Sequence, residues 1–323
     1  MQDITTTIRF GRVPKMTVKT ALVTGSLGFV GRHMVETLQA NGYDVVGCDT
    51  EETWEHKPFH CEDARDFFKY DQRQFDVSVH AAAFVGGRQA INSRQAFISA
   101  YDTQLDGAYF EWAMRTRPNH LVYISSSAAY PVKLQSPVND IHLAEYMISP
   151  YEPYEPDNTY GWTKIMGEVT AEHYQKLAWN EWNGHTHVVR PFSGYGSDQD
   201  TVYPFRAFLE RAMNCEDPFT VWGNPYQMRD WIHIDDVCNG IMAIINANMC
   251  EPVNLCTGIG TTMYDLIAMF CDELGHKPNL IIDNDMPMGV MNRVGNPSLM
   301  HTVYTPTIKI REGVTRAIKE RMR

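Results

Sequence analysis

The sequence predicts an α/β fold in which a doubly wound parallel sheet is combined with a smaller, interleaved α/β region. Two observations support this. Between residues 20 and 190, short apolar runs rich in β-branched residues alternate with segments of helical length. After residue 191 the apolar pieces become shorter and are broken by glycine and proline. Strands that are apolar on both faces and separated by helices are typical of a parallel sheet covered on both sides.

The first region is expected to span residues 18–191. Its predicted strands lie at residues 20–24, 43–49, 75–80, 120–124 and 186–190. Its predicted crossover helices lie at residues 29–40, 94–115 and 158–182. This alternation is typical of a Rossmann-like sheet. Residues 1–17 are polar, and we predict that they form an N-terminal extension.

The second region is expected to combine residues 192–226 and 251–323. Helices are predicted there at residues 203–213, 264–274 and 309–323, with a strand at residues 252–256. A further helix at residues 235–248 is expected to return to the first sheet, so that residues 227–250 complete the first region. A cleft between two such regions is the usual place for a ligand, and we therefore predict that the second region binds substrate.

Composition excludes several classes of function. The chain has 39 acidic and 28 basic residues, a net charge of −11, which opposes binding to a nucleic-acid backbone. No apolar run reaches the roughly 20 residues of a membrane helix, and the first residues lack a signal-peptide pattern. Seven scattered cysteines form no Cys-x-x-Cys pair. We expect a cytoplasmic protein with reduced thiols, no metal, no nucleic-acid partner and no membrane contact.

Three glycines, Gly25, Gly28 and Gly31, follow the first strand and open the first helix. This spacing allows a tight turn, close approach of a pyrophosphate to backbone amides, and close packing of helix on strand. Asp49 ends the second strand, where a carboxylate can accept hydrogen bonds from ribose hydroxyls. Two glutamates follow it, and no arginine is at hand for a 2′-phosphate. The first region is therefore a predicted dinucleotide-binding domain that prefers NAD to NADP.

Other candidate cofactor contacts come from the helix start and from the loop after the third strand. They are Phe29, Val30, Ala81 and Ala82. Asp63 is open to two interpretations, as a residue facing the adenine or as a solvated acid in a loop.

Tyr160 and Lys164 lie one helical turn apart on the same face of a predicted helix. A free tyrosine has a pKa of about 10, and a neighbouring ammonium together with a nicotinamide cation would stabilise its phenolate. Ser126 follows a predicted strand that a parallel sheet would bring beside the cofactor. The three residues together predict hydride transfer at a secondary alcohol, with Tyr160 as the acid or base.

With these motifs the chain resembles the extended short-chain dehydrogenase/reductase family, in its nucleotide-sugar epimerase/dehydratase branch, over residues 18–321. The resemblance rests on an ordered series of motifs: Gly25, Gly28 and Gly31, Asp49, His80-Ala-Ala-Ala83, Ser126, Tyr160 and Lys164, Arg190-Pro-Phe-Ser-Gly-Tyr-Gly196, Arg229-Asp-Trp-Ile-His-Ile-Asp-Asp236, and Gly295-Asn-Pro-Ser298.

The resemblance implies a role for each matching residue. Tyr160 would be the acid/base, Lys164 would orient the nicotinamide ribose and lower the tyrosine pKa, and Ser126 would bind the substrate oxygen. Arg229 would hold the diphosphate of a nucleotide-sugar substrate, linked to GDP or UDP. Further substrate contacts are expected from Gly87, Arg88 and Ser127. A homodimer formed through the helices at 94–115 and 158–182 is also implied.

Departures from the family patterns narrow the expected reaction. Dehydratases of this branch carry Thr-Asp-Glu where this chain has Ser126-Ser127-Ala128. GDP-mannose 3,5-epimerases and GDP-fucose synthases, whose loops at 82–87 and 126–131 look similar, carry a cysteine at Ala128. A methyl group cannot transfer protons, so the resemblance favours an NAD-dependent epimerase that transiently oxidises C4 of an NDP-hexose. A 4-keto-sugar reductase, another GDP-sugar isomerase and a non-catalytic NAD sensor remain as alternatives.

Overall fold

A seven-stranded parallel sheet forms the centre of the first region, in the strand order β10-β6-β5-β4-β1-β2-β3. The computed structural model describes residues 18–51, 59–137, 141–149 and 155–322, so the predicted extension 1–17 lies outside the described residues. The strands of the molecule are β1 Lys19–Thr24, β2 Tyr43–Asp49, β3 Phe59–Cys61, β4 Val77–His80, β5 His120–Ile124, β6 His185–Pro191, β7 Ser193–Tyr195, β8 Phe219–Trp222, β9 Met228–His233, β10 Val253–Leu255, β11 Gly260–Thr262, β12 Leu280–Asp283 and β13 Asn292–Arg293.

The helices cover both faces of this sheet and most of the second region. They are α1 Phe29–Ala40, α2 Ala64–Tyr70, α3 Arg88–Ser93, α4 Gln95–Thr116, α5 Asn158–Trp182, α6 Pro204–Met213, α7 Ile234–Asn246, α8 Met263–Leu274 and α9 Ile310–Arg321. The predicted Rossmann-like α/β fold is therefore confirmed. Within the described residues, no helix is both long enough and apolar enough to span a membrane.

Each face of the sheet has its own apolar core. On one face, Met34 of α1 and Ile241 of α7 pack against the strands. On the other face, Phe67 of α2, Trp112 of α4 and Ala178 of α5 do the same. Burying one large apolar side chain stabilises the fold by about 1.5–3 kcal/mol. The strands and the helices that cover them must both supply such side chains, and this explains why apolar strands alternate with amphipathic helices in the sequence.

The position of the site follows from strand register. Ala21 of β1 pairs with Val45 of β2 on one side and with Val77 of β4 on the other. Parallel strands in this register end at one edge of the sheet, so the loops that follow β1, β4 and β5 meet there.

The second region is built from short strands and three helices. β9 pairs with β7, β11 and β13, and β8 pairs with β12 in a separate two-stranded sheet. Phe205 of α6, Phe270 of α8 and Val314 of α9 share one apolar core. Two parts of the predicted division differ in the structure. Residues 227–250 are expected to complete the first region, but β9 at the start of this segment pairs with β7, β11 and β13. The strand expected at residues 252–256 is predicted for the second region, but β10 pairs with β6 at the edge of the large sheet, through Val253 and Val189.

Candidate active site

The glycine turn after β1 fits closely against the structure around it. Gly25 has a φ of +66°, and its amide donates to Cys48 O at 2.8 Å. A Cβ placed on Gly31 would overlap the carbonyl oxygen of Gly25. Only glycine fits at this crossing of turn and helix. Helix α1 therefore begins with amide groups that no side chain caps, as a pyrophosphate cradle requires.

Asp49 lies beside this turn at the end of β2. Its Oδ2 accepts a hydrogen bond from the Leu27 amide at 2.9 Å, which fixes the carboxylate at the rim of the cradle. Asp63 lies apart. Its carboxylate caps α2 and forms an ion pair with Arg65 at 2.6 Å, and it is not among the residues that line the cleft. The hydrogen bonds from Arg65 lower the pKa of Asp63.

Tyr160, Lys164 and Ser126 meet where α5 crosses the end of β5. The Lys164 ammonium is buried and donates to Ile124 O at 3.0 Å, and it lies 5.7 Å from the centre of the Tyr160 ring. The Ser126 hydroxyl lies beside the Tyr160 phenol, and its Oγ accepts a hydrogen bond from the Ala128 amide at 3.1 Å. Burial raises the pKa of Tyr160 above its ordinary value, against the opposing effects of Lys164 and Ser126.

Backbone contact sets the spacing of this group. A Cβ on Gly161 would lie 2.5 Å from Ala128 O and 2.8 Å from the Pro156 Cβ. The Asp157 amide also donates to Ala128 O, at 2.9 Å. The start of α5 therefore lies directly against the 3-10 turn at Ser127–Ala129.

A buried polar network lies behind Lys164. Asp106 accepts a hydrogen bond from Tyr123 Oη at 2.6 Å, and its Oδ1 is 3.3 Å from His80 Nε2. The Thr24 hydroxyl is 2.7 Å from His80 Nδ1. Burial opposes the charge on Lys164, but Tyr160, Asp106 and other acids outweigh it and raise the lysine pKa.

Asp102 lies one turn before Asp106 on α4, and only one of its two carboxylate oxygens is hydrogen-bonded within the described residues. Its Oδ1 accepts from the Phe84 amide at 2.7 Å, whereas its buried Oδ2 has no hydrogen-bond partner within the described part of the chain. Burial raises the pKa of Asp102 to about 6, although the Lys164 charge acts in the opposite direction. A buried carboxylate with a raised pKa beside a Tyr–Lys pair is typical of a functional site.

Three arginines gather at the end of the cleft where α5 begins. Arg88 and Arg293 both contact Asp157, at 2.8 and 2.7 Å. Arg229 donates to Met228 O at 2.8 Å and forms no ion pair with the described residues. Burial, followed by the charge of Arg293, lowers the pKa of Arg229 to about 9. This end of the cleft therefore favours an anionic ligand.

One cleft of about 1260 Å³ joins these parts. All the sequence-predicted site residues except Asp63 line it: Gly25, Gly28, Phe29, Val30, Gly31, Asp49, Ala81, Ala82, Gly87, Arg88, Ser126, Ser127, Tyr160, Lys164 and Arg229. No group of three or more His, Cys, Asp or Glu side chains is arranged to hold a metal in the described ranges.

Sequence reasoning missed Arg293, Asp157, Asp102 and Asp106. Asp102 and Asp106 are spaced as i and i+4 in a segment predicted to be a helix, and this could have placed both on one face. Nothing in the sequence pairs Arg293 with Asp157, because the two residues are far apart in the chain.

Comparison with known proteins identifies the family. A family model described as "NAD dependent epimerase/dehydratase family" matches residues 21–256. The chain belongs to the NAD-dependent epimerase/dehydratase family. NAD is accordingly its cofactor, and the glycine cradle with Asp49 beside it fits that dinucleotide.

Individual members of this epimerase/dehydratase family are similar over nearly the whole chain. GDP-mannose 3,5-epimerase 1 of Oryza sativa subsp. indica is 27% identical over 311 residues, which covers 90% of this chain and 79% of the relative. A putative UDP-glucose 4-epimerase of Methanocaldococcus jannaschii is 25% identical over 315 residues, covering 92% and 96%. The UDP-glucose 4-epimerase of Thermus thermophilus, solved with NAD, has the same fold, with a TM-score of 0.77, 20% identity, and 93% and 98% coverage.

Proposed function

We propose that the protein is a nucleotide-sugar epimerase that transiently oxidises C4 of a hexose linked to GDP or UDP. The observation that carries the proposal is the meeting of Tyr160, Lys164 and Ser126 in the cleft that also contains the glycine cradle and the half-buried Arg229. The names of the relatives, a GDP-mannose epimerase and a putative UDP-glucose epimerase, support a nucleotide sugar as the substrate class.

Tyr160 moves the proton of the C4 hydroxyl. The raised pKa of Tyr160 means that its phenol is protonated in the protein alone, so it needs positive charge nearby to act as a base. Lys164 supplies one such charge. NAD, when bound, supplies a second positive charge and the hydride acceptor. The Ser126 hydroxyl lies beside this phenol and lines the cleft, so it is placed to donate a hydrogen bond to the substrate oxygen as that oxygen becomes a carbonyl.

The Asp106 carboxylate keeps Lys164 charged. Its own pKa is lowered, because the Lys164 charge and the contact with His80 outweigh the effect of burial. An ionised Asp106 in turn raises the pKa of Lys164. The ammonium therefore stays positive throughout the pH range in which the phenol must give up and recover its proton.

Arg229 binds the diphosphate. A half-buried guanidinium that forms no ion pair with the described residues favours an anionic ligand, which would supply the missing negative charge. Dehydratases of this branch carry Asp and Glu where this chain has Ser127 and Ala128, and both of these residues are buried. The chain thus lacks the extra acid and the extra base that elimination of water requires. A 4-keto-sugar reductase would use the same residues but would consume reduced cofactor, and it is the second candidate.

The decisive experiment incubates the protein and catalytic NAD with each member of two pairs of C4 epimers, UDP-glucose and UDP-galactose, and GDP-mannose and its C4 epimer, and follows the sugars by NMR. Interconversion without net consumption of cofactor supports epimerisation. A stoichiometric requirement for NAD(P)H with 4-keto sugars supports the reductase instead.

In the same assay, Tyr160→Phe should lower the turnover rate about 10²- to 10⁴-fold, because it removes the proton-transfer group. NAD affinity and folding should stay unchanged. Tyr226→Phe, at a residue that is 64% exposed, is the matched control and should turn over normally. Near-normal turnover by Tyr160→Phe would rule out the assigned role.

A homodimer is also proposed. Phe97 and Met114 on α4, and Trp162, Met166 and Trp179 on α5, are each 47–58% exposed. Two long, adjacent helices with large exposed apolar side chains fit a four-helix interface with a second copy. Sedimentation equilibrium of the full chain measures the mass directly.

A further inference from the structure

Asp157 holds two arginines at once, beside the reacting group. Arg88 Nη1 lies 2.8 and 2.9 Å from its two carboxylate oxygens, and Arg293 Nη2 lies 2.7 Å from Oδ2. The two guanidinium groups lower the pKa of Asp157, although burial alone would raise it. Asp157 is the residue before α5, three positions from Tyr160. The ion-pair group therefore lies within one helical turn of the proposed acid/base.

The two arginines differ in what their remaining donors contact. Arg293 Nε donates to Gln135 Oε1 at 2.5 Å, so its guanidinium is held from two sides. Arg88 Nε is buried and has no hydrogen-bond partner in the ranges that the structure describes. Buried donors without an acceptor are rare in folded proteins. A ligand oxygen in the cleft would complete the hydrogen bonding of Arg88.

The geometry of a nucleotide sugar indicates which oxygen this is. A hexose carries its diphosphate on C1, and the proposed reaction occurs at C4, across the ring. If Arg229 binds the diphosphate and Tyr160 faces C4, the groups between them face the remaining hydroxyls of the ring. Arg88 and Asp157 line the cleft together with both residues.

Charge supports an uncharged sugar. Among the described residues, the charged side chains that act on Arg229 at this end of the cleft are two further guanidiniums and one carboxylate: Arg88, Arg293 and Asp157. With Arg229 itself their net charge is +2, which matches the two negative charges of a nucleoside diphosphate sugar. A uronate would add a third negative charge beside Asp157.

We propose that Arg88 and Asp157 form a specificity subsite for two neighbouring hydroxyls of an uncharged hexose. Arg88 Nε donates to one hydroxyl oxygen, and the Asp157 carboxylate accepts the proton of the next. An adjacent donor and acceptor of this kind match a vicinal diol and discriminate against sugars that lack it. The proposal rests on the proposed function for the direction in which the sugar lies.

The test measures binding rather than turnover. Calorimetry with NAD-loaded protein compares UDP, UDP-glucose, 2-deoxy- and 3-deoxy-UDP-glucose and UDP-glucuronate, with GDP, GDP-mannose and its deoxy analogues in parallel. Arg88→Lys keeps the charge and the long side chain but removes the Nε donor. It should weaken binding of the preferred nucleotide hexose about 10-fold, the loss expected for one hydrogen bond to a charged group, and leave binding of the free nucleoside diphosphate unchanged.

Two further outcomes sharpen the result. With the deoxy analogue that lacks the recognised hydroxyl, wild type and Arg88→Lys should bind equally. Asp157→Asn should also weaken the hexose more than the free diphosphate, and wild type should bind UDP-glucuronate at least tenfold more weakly than UDP-glucose. If Arg88→Lys lost affinity equally for UDP and UDP-glucose, Arg88 would bind the diphosphate and the proposal would be wrong. Tighter binding of UDP-glucuronate than of UDP-glucose by the wild type would also overturn it. Because calorimetry needs no reaction, a protein that binds hexoses as expected but isomerises none would disprove only the proposed function.

Discussion

Two buried arginine–carboxylate groups lie in different parts of the molecule, and they are satisfied to different degrees. Behind the site, Arg190 donates to both oxygens of Glu168, at 2.9 and 2.6 Å. Its third nitrogen reaches Glu145 O at 2.9 Å and the Tyr130 hydroxyl at 3.3 Å. In the cleft, Asp157 is shared by two guanidiniums, one of which keeps an Nε that no described residue accepts from.

This comparison distinguishes an arginine that stabilises the fold from one that is available to bind a ligand. An arginine such as Arg190, in which each of the three nitrogens donates to the protein, can stabilise the fold but has little left to offer a ligand. An arginine with a buried, unused donor is costly until a ligand arrives. The Arg-Pro sequence at residues 190 and 191 therefore belongs to the scaffold, whereas Arg88, at the start of a short helix, faces the cleft.

The largest effect is expected from breaking the saturated pair. Glu168→Gln leaves the Arg190 charge buried and without its partner, so the free energy of unfolding should fall by about 3–5 kcal/mol. Glu172→Gln, one turn later on α5, removes the exposed partner of Lys176 and should cost less than about 0.5 kcal/mol. Urea denaturation of both variants measures the difference, and similar losses would mean that the buried pair is not structural.

The sequence predicted the sheet and its long helices well, because apolar periodicity over ten or more residues is a local signal. The bounds predicted for β2, β5, α1 and α5 agree with the structure. The short strands β7, β11 and β13 were missed, since two or three residues carry no period and pairing with β9 is a tertiary event.

The site divides in the same way. Gly25, Gly31, Tyr160 and Lys164 belong to local motifs whose spacing is readable from sequence. The ion pairs of Asp157 with Arg88 and Arg293 join residues that are far apart in the sequence and meet only in the folded chain. Such long-range contacts cannot be predicted from local motifs.

A second prediction concerns Asp102, a carboxylate without a compensating arginine among the described residues. Its pKa of about 6 in the folded protein lies above its ordinary value of 3.8, so the folded state binds more protons than the unfolded state between those pH values. Stability is therefore lost as pH rises from about 4 to 6. Asp102→Asn should raise the free energy of unfolding by up to about 3 kcal/mol at pH 8 and change it little below pH 4.

The measurement is a series of denaturation curves from pH 4 to 8 for wild type and Asp102→Asn. A difference in the free energy of unfolding that does not depend on pH would show that ionisation of Asp102 does not destabilise the folded protein. NAD affinity, measured alongside, reports whether the loop held through the Phe84 amide has kept its position.

A third prediction concerns a buried group that stays neutral in the folded protein, and its effect appears only as a change of slope at low pH. Burial lowers the pKa of His187 to about 3, although a hydrogen bond to Met249 O opposes this. Its Nδ1 donates to that carbonyl, so Nε2 accepts from His120 Nδ1 at 3.1 Å. Below pH 6.5 this imidazole is protonated in the unfolded chain but stays neutral in the folded chain. The free energy of unfolding therefore falls by about 1.4 kcal/mol per pH unit as pH decreases.

His187→Asn removes one group that takes up a proton on unfolding. The slope of the unfolding free energy against pH between 6 and 4 should therefore decrease by the contribution of one proton. The slope is informative even if the variant is less stable at pH 7. An unchanged slope would show that His187 is protonated in the folded protein.

Gly161 also limits which residues this position of α5 can hold. A side chain there would push the start of the helix away from Ala128 O, because its Cβ would lie only 2.5 Å from that oxygen. Tyr160 precedes Gly161, and Ser126 lies two residues before Ala128, so a substitution at Gly161 would change the distance between the phenol and the hydroxyl that face the same substrate oxygen.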